Sequence, residues 1–110
     1  MSGLKISSIK PGQKGLVLTG KVPKVSSPID IRTRYGPARV ATATLEDDSG
    51  AISLNLWRAQ IDLVKLGDLV KVENAFVNTF RENLELNLGA DGRISVMSRE
   101  GQQSKVQRNQ

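Results

Sequence analysis

The segment Ala51–Trp57 alternates apolar and polar side chains, a pattern typical of an extended strand with one buried face. Its isoleucine and two leucines fall on one side of the strand, whereas Ser53, Asn55 and Trp57 fall on the other. Trp57 is the only tryptophan in the chain. We therefore expect a β-strand whose polar face carries an exposed indole ring.

Four further segments carry strand patterns and are bounded by residues that favour turns. They begin at Leu16, Ala38, Leu69 and Leu84. Gly20 interrupts the apolar face of the first of these segments, where we expect a bend or the close approach of another backbone. Residues 58–66 have apolar side chains at mixed spacing, which predicts a short helix or helical turn ended by Gly67-Asp68.

The strand that begins at Leu69 keeps its apolar face only if its register shifts at residues 73–74. A β-bulge there would turn Phe76 outward, on the same face as Phe80. Two alternatives place these rings elsewhere: Phe76 belongs to the core if no bulge forms, and Trp57 could pack as a half-buried ring under the helical segment.

Five short strands with a helical segment between the third and fourth are typical of the OB-fold, an all-β, five-stranded Greek-key barrel. An SH3-like barrel is the alternative, but its helical segment is normally a single tight turn late in the chain. We expect one domain over residues 1–98. Residues 99–110 are polar and glutamine-rich, which predicts a disordered tail.

The chain contains neither cysteine nor histidine, which removes disulfides, thiolate metal sites and the commonest general base. Asp47 and Asp48 are adjacent in a predicted turn without further metal ligands nearby. We therefore expect no enzymatic activity and no metal or other cofactor. No apolar stretch approaches the roughly 20 residues of a membrane-spanning helix, so we expect a soluble, intracellular protein without a membrane partner.

The charged and aromatic residues predict a binding site for single-stranded nucleic acid. The 16 basic residues exceed the 11 acidic ones, which suits a polyanionic partner. Residues 32–37 predict an exposed, positively charged loop, and all four aromatic residues fall in loops, at strand ends or on polar faces. Rings stack on bases, and arginine binds phosphate. The predicted binding residues are Trp57, Phe76, Phe80, Tyr35, Arg32, Arg34, Arg39, Arg58, Arg81 and Asn55. Further candidates are Lys21, Lys71, Asn78 and Asn87. The alternation of side chains along their strands directs the two asparagines outward.

Five motifs accompany these residues: Ile9-Lys10-Pro11-Gly12, Asp48-Ser49-Gly50, Leu54-Asn55-Leu56-Trp57, Leu66-Gly67-Asp68, and Glu73-Asn74-Ala75-Phe76 followed by Phe80. With them, residues 6–90 resemble the simple single-OB single-stranded DNA-binding proteins of archaeal type. That family is related to the small OB subunit of the eukaryotic single-strand sensor complex. The resemblance implies that Trp57, Phe76 and Phe80 stack on bases, and that Arg32 and Arg34 line the bound strand.

The expected function is largely sequence-independent binding of single-stranded DNA, which protects exposed strands in replication, recombination or repair. Two alternatives would use the same residues: an OB-fold subunit that binds protein partners within a replication-factor-like complex, and an RNA-binding OB protein. Repair or replication proteins are candidate partners, and a monomer is favoured in solution. We expect a cytoplasmic, nucleoid-associated location, or a nuclear one in a eukaryote.

Overall fold

Six β-strands and two short 3₁₀ turns make up residues 4–98, the part of the chain that the computed structural model describes. The strands are β1 (Leu16–Val25), β2 (Ile29–Thr33), β3 (Gly36–Asp47), β4 (Gly50–Trp57), β5 (Leu69–Phe80) and β6 (Asn83–Ser98), and the turns are Ile6–Ser8 and Arg58–Leu63. The sheet order is β1-β5-β6-β4-β3-β2. An additional pairing of β1 with β3 closes the sheet into a barrel. The five predicted strands are confirmed as β1, β3, β4, β5 and β6 of an OB-fold.

The core lies inside the barrel and is built from the apolar sides of the alternating strands. On β4, Leu54 and Leu56 are fully buried, whereas Trp57 on the other face is half-buried, so the predicted alternation is confirmed. The apolar side chains that are almost completely buried are Leu18, Leu45, Leu54, Leu56, Leu86, Val22, Val70 and Val72. Because both ends of the barrel must also be closed, Ile6 and Ile9 from the amino-terminal segment join this core.

Gly20 lies where β1 changes its pairing partner from β5 to β3. A Cβ atom at this position would lie 2.6 Å from the carbonyl oxygen of Glu46 and 3.1 Å from the side chain of Leu45. The predicted close approach of another backbone is therefore confirmed. A strand can take part in two pairings of a small closed barrel only if it curves sharply, and glycine permits that approach.

The structure corrects the prediction that residues 32–37 form an open loop. Ile29–Thr33 forms β2, which pairs with the start of β3 and leaves only Arg34 and Tyr35 in the turn. Thr33 closes this turn, because its Oγ1 accepts the backbone N–H of Tyr35 at 3.1 Å and donates to the Gly36 carbonyl at 2.8 Å. The first loop is thus a twisted hairpin, and its charged tip is exposed as expected.

The segment between β4 and β5 is a 3₁₀ turn of six residues rather than a longer helix. The chain that follows this turn is constrained. The buried Val64 follows it directly, and residues 67–68 are fastened to β1: the Gly67 N–H donates to the Val22 carbonyl at 2.7 Å, and the Val22 N–H donates to the Asp68 carbonyl at 2.9 Å. Because these contacts take up the end of the segment, no room remains for a longer helix.

Asp47 joins the amino-terminal segment to the turn between β3 and β4. Its carboxylate accepts the backbone N–H of Ile6 at 3.0 Å, the N–H and Oγ–H of Ser49 at 2.7 and 2.6 Å, and the N–H of Gly50 at 3.2 Å. Burial raises the pKa of Asp47, but these hydrogen bonds outweigh it and lower the pKa to about 2. The acidic turn between β3 and β4 therefore anchors the end of the barrel.

We expect Asp47→Ala to lower the free energy of unfolding by about 1–3 kcal/mol at pH 7, because four donors lose a charged acceptor. The folded-state pKa lies below the unfolded-state value, so this stabilisation is present above pH 4 and is lost as the pH falls towards about 2. Urea denaturation at pH 7 and at low pH measures both effects. Asp48→Ala is the control, since the Asp48 carboxylate meets only the exposed Lys5 ammonium, at 2.7 Å. Equal losses in the two variants would contradict this prediction.

The described part of the chain ends with β6 at Ser98, and the predicted domain of residues 1–98 stays a prediction. The predicted disordered tail, residues 99–110, lies outside the described residues. Within residues 4–98, none of the helical turns has the length and hydrophobicity needed to cross a membrane.

Candidate nucleic-acid interface

An apolar row crosses the outward face of the sheet from β2 to β4. The strand register places Ile29 opposite Val40, and Val40 opposite Trp57. Residues directly opposite each other in paired strands share a face. Ile29 is 59% exposed, whereas Val40 and Trp57 are half-buried. The indole therefore lies on the outward face, as predicted, with apolar neighbours across two strands.

Asn87 on β6 holds the edge of this indole. The Nε1–H of Trp57 donates to Asn87 Oδ1 at 3.3 Å, and Asn55 Nδ2 donates to the same oxygen at 3.3 Å. Asn87 is only 6% exposed, so the prediction that it points freely outward to a base edge is wrong. The physical reason is that two large rings flank the amide: Trp57, which donates to it, and Phe76, which lies opposite it on β5. Asn87 therefore positions Trp57.

Asn55, a predicted contact to bases, is also engaged within the sheet. Its Nδ2 donates to Glu85 Oε1 at 3.0 Å as well as to Asn87, and its Oδ1 accepts the hydroxyl of Thr42 at 3.2 Å. These contacts link β3, β4 and β6 on the outward face. The side chain of Asn55 orders this face, whereas that of Asn78 on β5 is exposed.

Phe76 reaches the outward face because β5 contains a bulge. The register of β5 with β6 shifts between Glu73 and Ala75, and Asn74 has a left-handed φ of 56°. Ala75 is fully buried, and Phe76 is half-buried opposite Asn87. The predicted bulge is confirmed, and the ring continues the row that passes through Trp57 and Asn87.

Phe80 and Arg81 lie at the hairpin between β5 and β6. Phe80 is 57% exposed, and the guanidinium carbon of Arg81 lies 5.2 Å from the centre of its ring, within the range of a cation–π contact. Arg81 and Glu82 both have positive φ, 51° and 69°, as a two-residue hairpin turn requires. This hairpin presents a flat ring and a cation side by side.

Arg32 and Arg39 do not share the face of Trp57. In the pairing of β2 with β3, Arg32 lies opposite Pro37, and Arg39 lies opposite Asp30. These positions alternate along the two strands with the outward pair Ile29 and Val40. Both side chains therefore lie on the reverse face of the β2–β3 hairpin. Arg39 is further occupied there, because its Nε lies 3.3 Å from the Asp30 carboxylate.

The other predicted basic residues have different positions. Arg34 and Tyr35 form the exposed hairpin tip, and Tyr35 is 83% exposed. Arg58 follows Trp57 directly and has a left-handed φ of 54°, at the point where the chain leaves β4. Arg58 and Arg81 are thus adjacent in sequence to Trp57 and Phe80 of the outward face. Lys21 and Lys71 lie on β1 and β5, outside the row described here.

Sequence reasoning missed Ile29 and Val40 as part of this face. The signal that could have found them is the alternation of apolar and charged residues over positions 29–32, which is typical of a strand. Such a strand would pair with the start of β3 and bring Ile29 next to Val40. Among residues 4–98, no group of three or more acidic side chains is arranged so that it could hold a metal ion.

Residues 9–96 match a protein family described as "Single-stranded DNA binding protein Ssb-like, OB fold". The chain belongs to this family. Its members are binding proteins rather than enzymes, which confirms the prediction of a non-catalytic protein. The predicted resemblance to archaeal single-OB proteins is likewise confirmed.

The chain is 30% identical over 97 residues to the single-stranded DNA binding protein Ssb of Saccharolobus solfataricus, covering 88% of this chain and 66% of that protein. It thus spans about two thirds of the length of this Ssb relative. It is 31% identical over 101 residues to replication factor A of Methanothermobacter thermautotrophicus, covering 86% of this chain but 13% of that protein. The solution structure of the replication factor A related protein from Methanobacterium thermoautotrophicum superposes with a TM-score of 0.73 at 26% identity, covering 87% of this chain and 91% of the other.

Proposed function

We propose that this chain binds single-stranded DNA with little sequence preference and protects exposed strands during replication, recombination or repair. The observation that carries the proposal is the outward face on which Trp57 and Phe76 are joined through Asn87. Phe80 extends this surface towards the β5–β6 hairpin. We refer to Trp57, Phe76 and Phe80 as the aromatic track. Stacking tolerates any sequence, because every base has a flat π face.

The aromatic track can account for a substantial part of the binding energy. Each base stacked on an aromatic side chain contributes about 1–3 kcal/mol, as measured by truncation. A dissociation constant of 1 μM corresponds to about 8 kcal/mol. Three stacked bases and a few phosphate contacts are therefore enough for micromolar affinity. The hydrogen bond from the indole to Asn87 reduces the entropic cost of binding, because the ring is already oriented before DNA arrives.

The structure separates two pairs of arginines that differ in their position relative to the track. We expect the double variant Arg58→Gln and Arg81→Gln to reduce the slope of log affinity against log salt by about 1.4, because each lost phosphate contact removes about 0.7 on single strands. The control is the double variant Arg32→Gln and Arg39→Gln on the reverse face of the hairpin, for which we expect little change. Titrations of labelled oligothymidine at salt concentrations from about 50 to about 300 mM measure both slopes. Salt screens the contacts between arginine and phosphate progressively over this range. A larger effect of the second pair would place the strand across the hairpin instead.

The proposal is tested by intrinsic fluorescence, because the single tryptophan reports on one site. Titration with a short oligothymidine is expected to quench Trp57, and raising the salt concentration is expected to weaken the binding. Unchanged fluorescence at micromolar protein, with the β-rich fold verified by circular dichroism, would contradict DNA stacking on Trp57. That result would favour the alternative in which the exposed rings contact a protein partner.

Competition between DNA and RNA oligomers of the same sequence separates the two nucleic acids, since stacking by itself does not distinguish the sugar. Because the matched family is described as single-stranded DNA binding, we expect the DNA oligomer to compete more strongly. Besides DNA, the expected partners are replication or repair proteins. The expected location is the nucleoid, or the nucleus in a eukaryote, where single strands are exposed. Preferential binding of RNA would instead support the RNA-binding alternative.

A further inference from the structure

A pocket of about 470 Å³ opens beside the aromatic track. Its walls come from three segments: residues 12–15 ahead of β1, residues 74–78 of β5 and residues 89–91 of β6. Its volume falls in the range of roughly 300–1,000 Å³ typical of sites for small ligands. The pocket is therefore large enough for a planar heterocycle with its sugar.

Phe76 belongs both to the pocket wall and to the aromatic track. The face runs from Trp57 through Asn87 to Phe76, and the pocket opens beside Phe76. A strand that stacks on Trp57 and Phe76 is therefore led to this opening. Gly89 leaves the adjoining wall open, since a Cβ atom there would lie 3.7 Å from Phe76 Cε1.

The rim formed by residues 12–15 is attached to the sheet. The backbone N–H of Val77 donates to the carbonyl of Gln13 at 2.9 Å, and the side chain of Gln13 accepts the N–H of Lys10 at 2.8 Å. On the opposite side, Asn74 Nδ2 donates to the carbonyl of Asp91 at 3.4 Å. These contacts connect the other two walls to β5, so the pocket exists before a ligand arrives.

The lining combines one flat ring with three kinds of polar group. Phe76 supplies the ring, Lys14 an exposed cation, Asn78 an amide and Asp91 a carboxylate. A carboxylate repels phosphate, but it accepts hydrogen bonds from exocyclic amino groups such as N4 of cytosine. An amide can both donate and accept, so it can pair with the ring edge beside that amino group.

We infer that this pocket holds one nucleobase of the bound strand and favours a base with an exocyclic amino group. The base stacks on Phe76, its amino group donates to Asp91, and Lys14 binds the neighbouring phosphate. Thymine has no exocyclic amino group and is disfavoured at this one position. The inference rests on the proposed function and adds a preference at a single nucleotide to an otherwise sequence-tolerant track.

The test is a positional scan with short thymidine oligomers, each of which carries a single cytosine at a different position. Cytosine has an amino group where thymine has a carbonyl oxygen, and deoxyuridine at the same positions controls for the 5-methyl group of thymine. We expect cytosine at one position to strengthen binding by about fivefold or more, in line with a good base-edge contact. Asp91→Ala, which removes the acceptor, should flatten the scan, whereas Asp62→Ala, a change in an exposed carboxylate of the 3₁₀ turn, should leave the preference unchanged.

A second variant, Gly89→Leu, fills the pocket from its wall and should also abolish the preference, with folding verified by circular dichroism. Tight binding of every oligomer by the wild-type protein with a flat scan would overturn the inference and leave the proposed function intact. Retention of the cytosine preference in Asp91→Ala would overturn the assigned role of the carboxylate. Failure of the wild-type protein to bind any oligomer would instead contradict the proposed function.

Discussion

Replacing Trp57 with alanine is expected to weaken binding of single-stranded DNA by about 5- to 150-fold, because one stacked base is worth about 1–3 kcal/mol. Trp57 has the largest aromatic surface of the track and lies between Val40 and Asn87 on the outward face. Truncation also frees the Asn87 carbonyl, which then accepts only from Asn55. The loss at this position should therefore exceed that at Phe80, which lies at the end of the track.

Anisotropy of a labelled oligothymidine measures this loss, since the variant has no tryptophan left to report. Trp57→Phe is the matched control: it keeps a ring on the outward face but loses area and the Nε1–H donor, so we expect a smaller loss. Thermal unfolding of all three proteins separates binding from stability. Equal affinity of the alanine variant and the wild-type protein would show that the strand does not pass over Trp57.

Replacing Gly20 with alanine is expected to destabilise the barrel by about 1–3 kcal/mol, the usual cost of an overpacked interior position. A Cβ atom 2.6 Å from the Glu46 carbonyl forces β1 and β3 apart where they close the barrel. For a domain of this size the corresponding fall in Tm is about 4–8 °C for each kcal/mol. Gly20→Val should be more severe, because its branched side chain also meets Leu45.

Gly50→Ala is the matched control for this prediction. An added Cβ at Gly50 would meet only a methyl group of Ile6 at 3.9 Å, an ordinary contact, and would keep the N–H that donates to Asp47. Calorimetry of the two alanine variants should show a clear fall in Tm for Gly20→Ala and little change for Gly50→Ala. Similar melting temperatures would mean that the closure between β1 and β3 adapts without cost.

Alternation by itself determined much of this protein. The pattern of β4 predicted a strand with its leucines inside and Trp57 outside, and the break in the pattern of β5 predicted the bulge that turns Phe76 outward. Gly20 predicted a close backbone approach, which the closure of β1 on β3 explains. These features are local, because side-chain direction in a strand depends only on the position of a residue along it.

Only the tertiary structure decided which residues become neighbours across strands. Alternation directed Asn87 outward, but it could not show that Trp57 and Phe76 flank the amide and cover it. The basic residues near position 34 suggested one positive loop, whereas pairing of β2 with β3 places Arg32 and Arg39 on the reverse face of a hairpin. The pocket beside Phe76 likewise joins three segments distant in sequence. Such features depend on register, curvature and barrel closure, which arise from pairings between strands rather than from the pattern within any one of them.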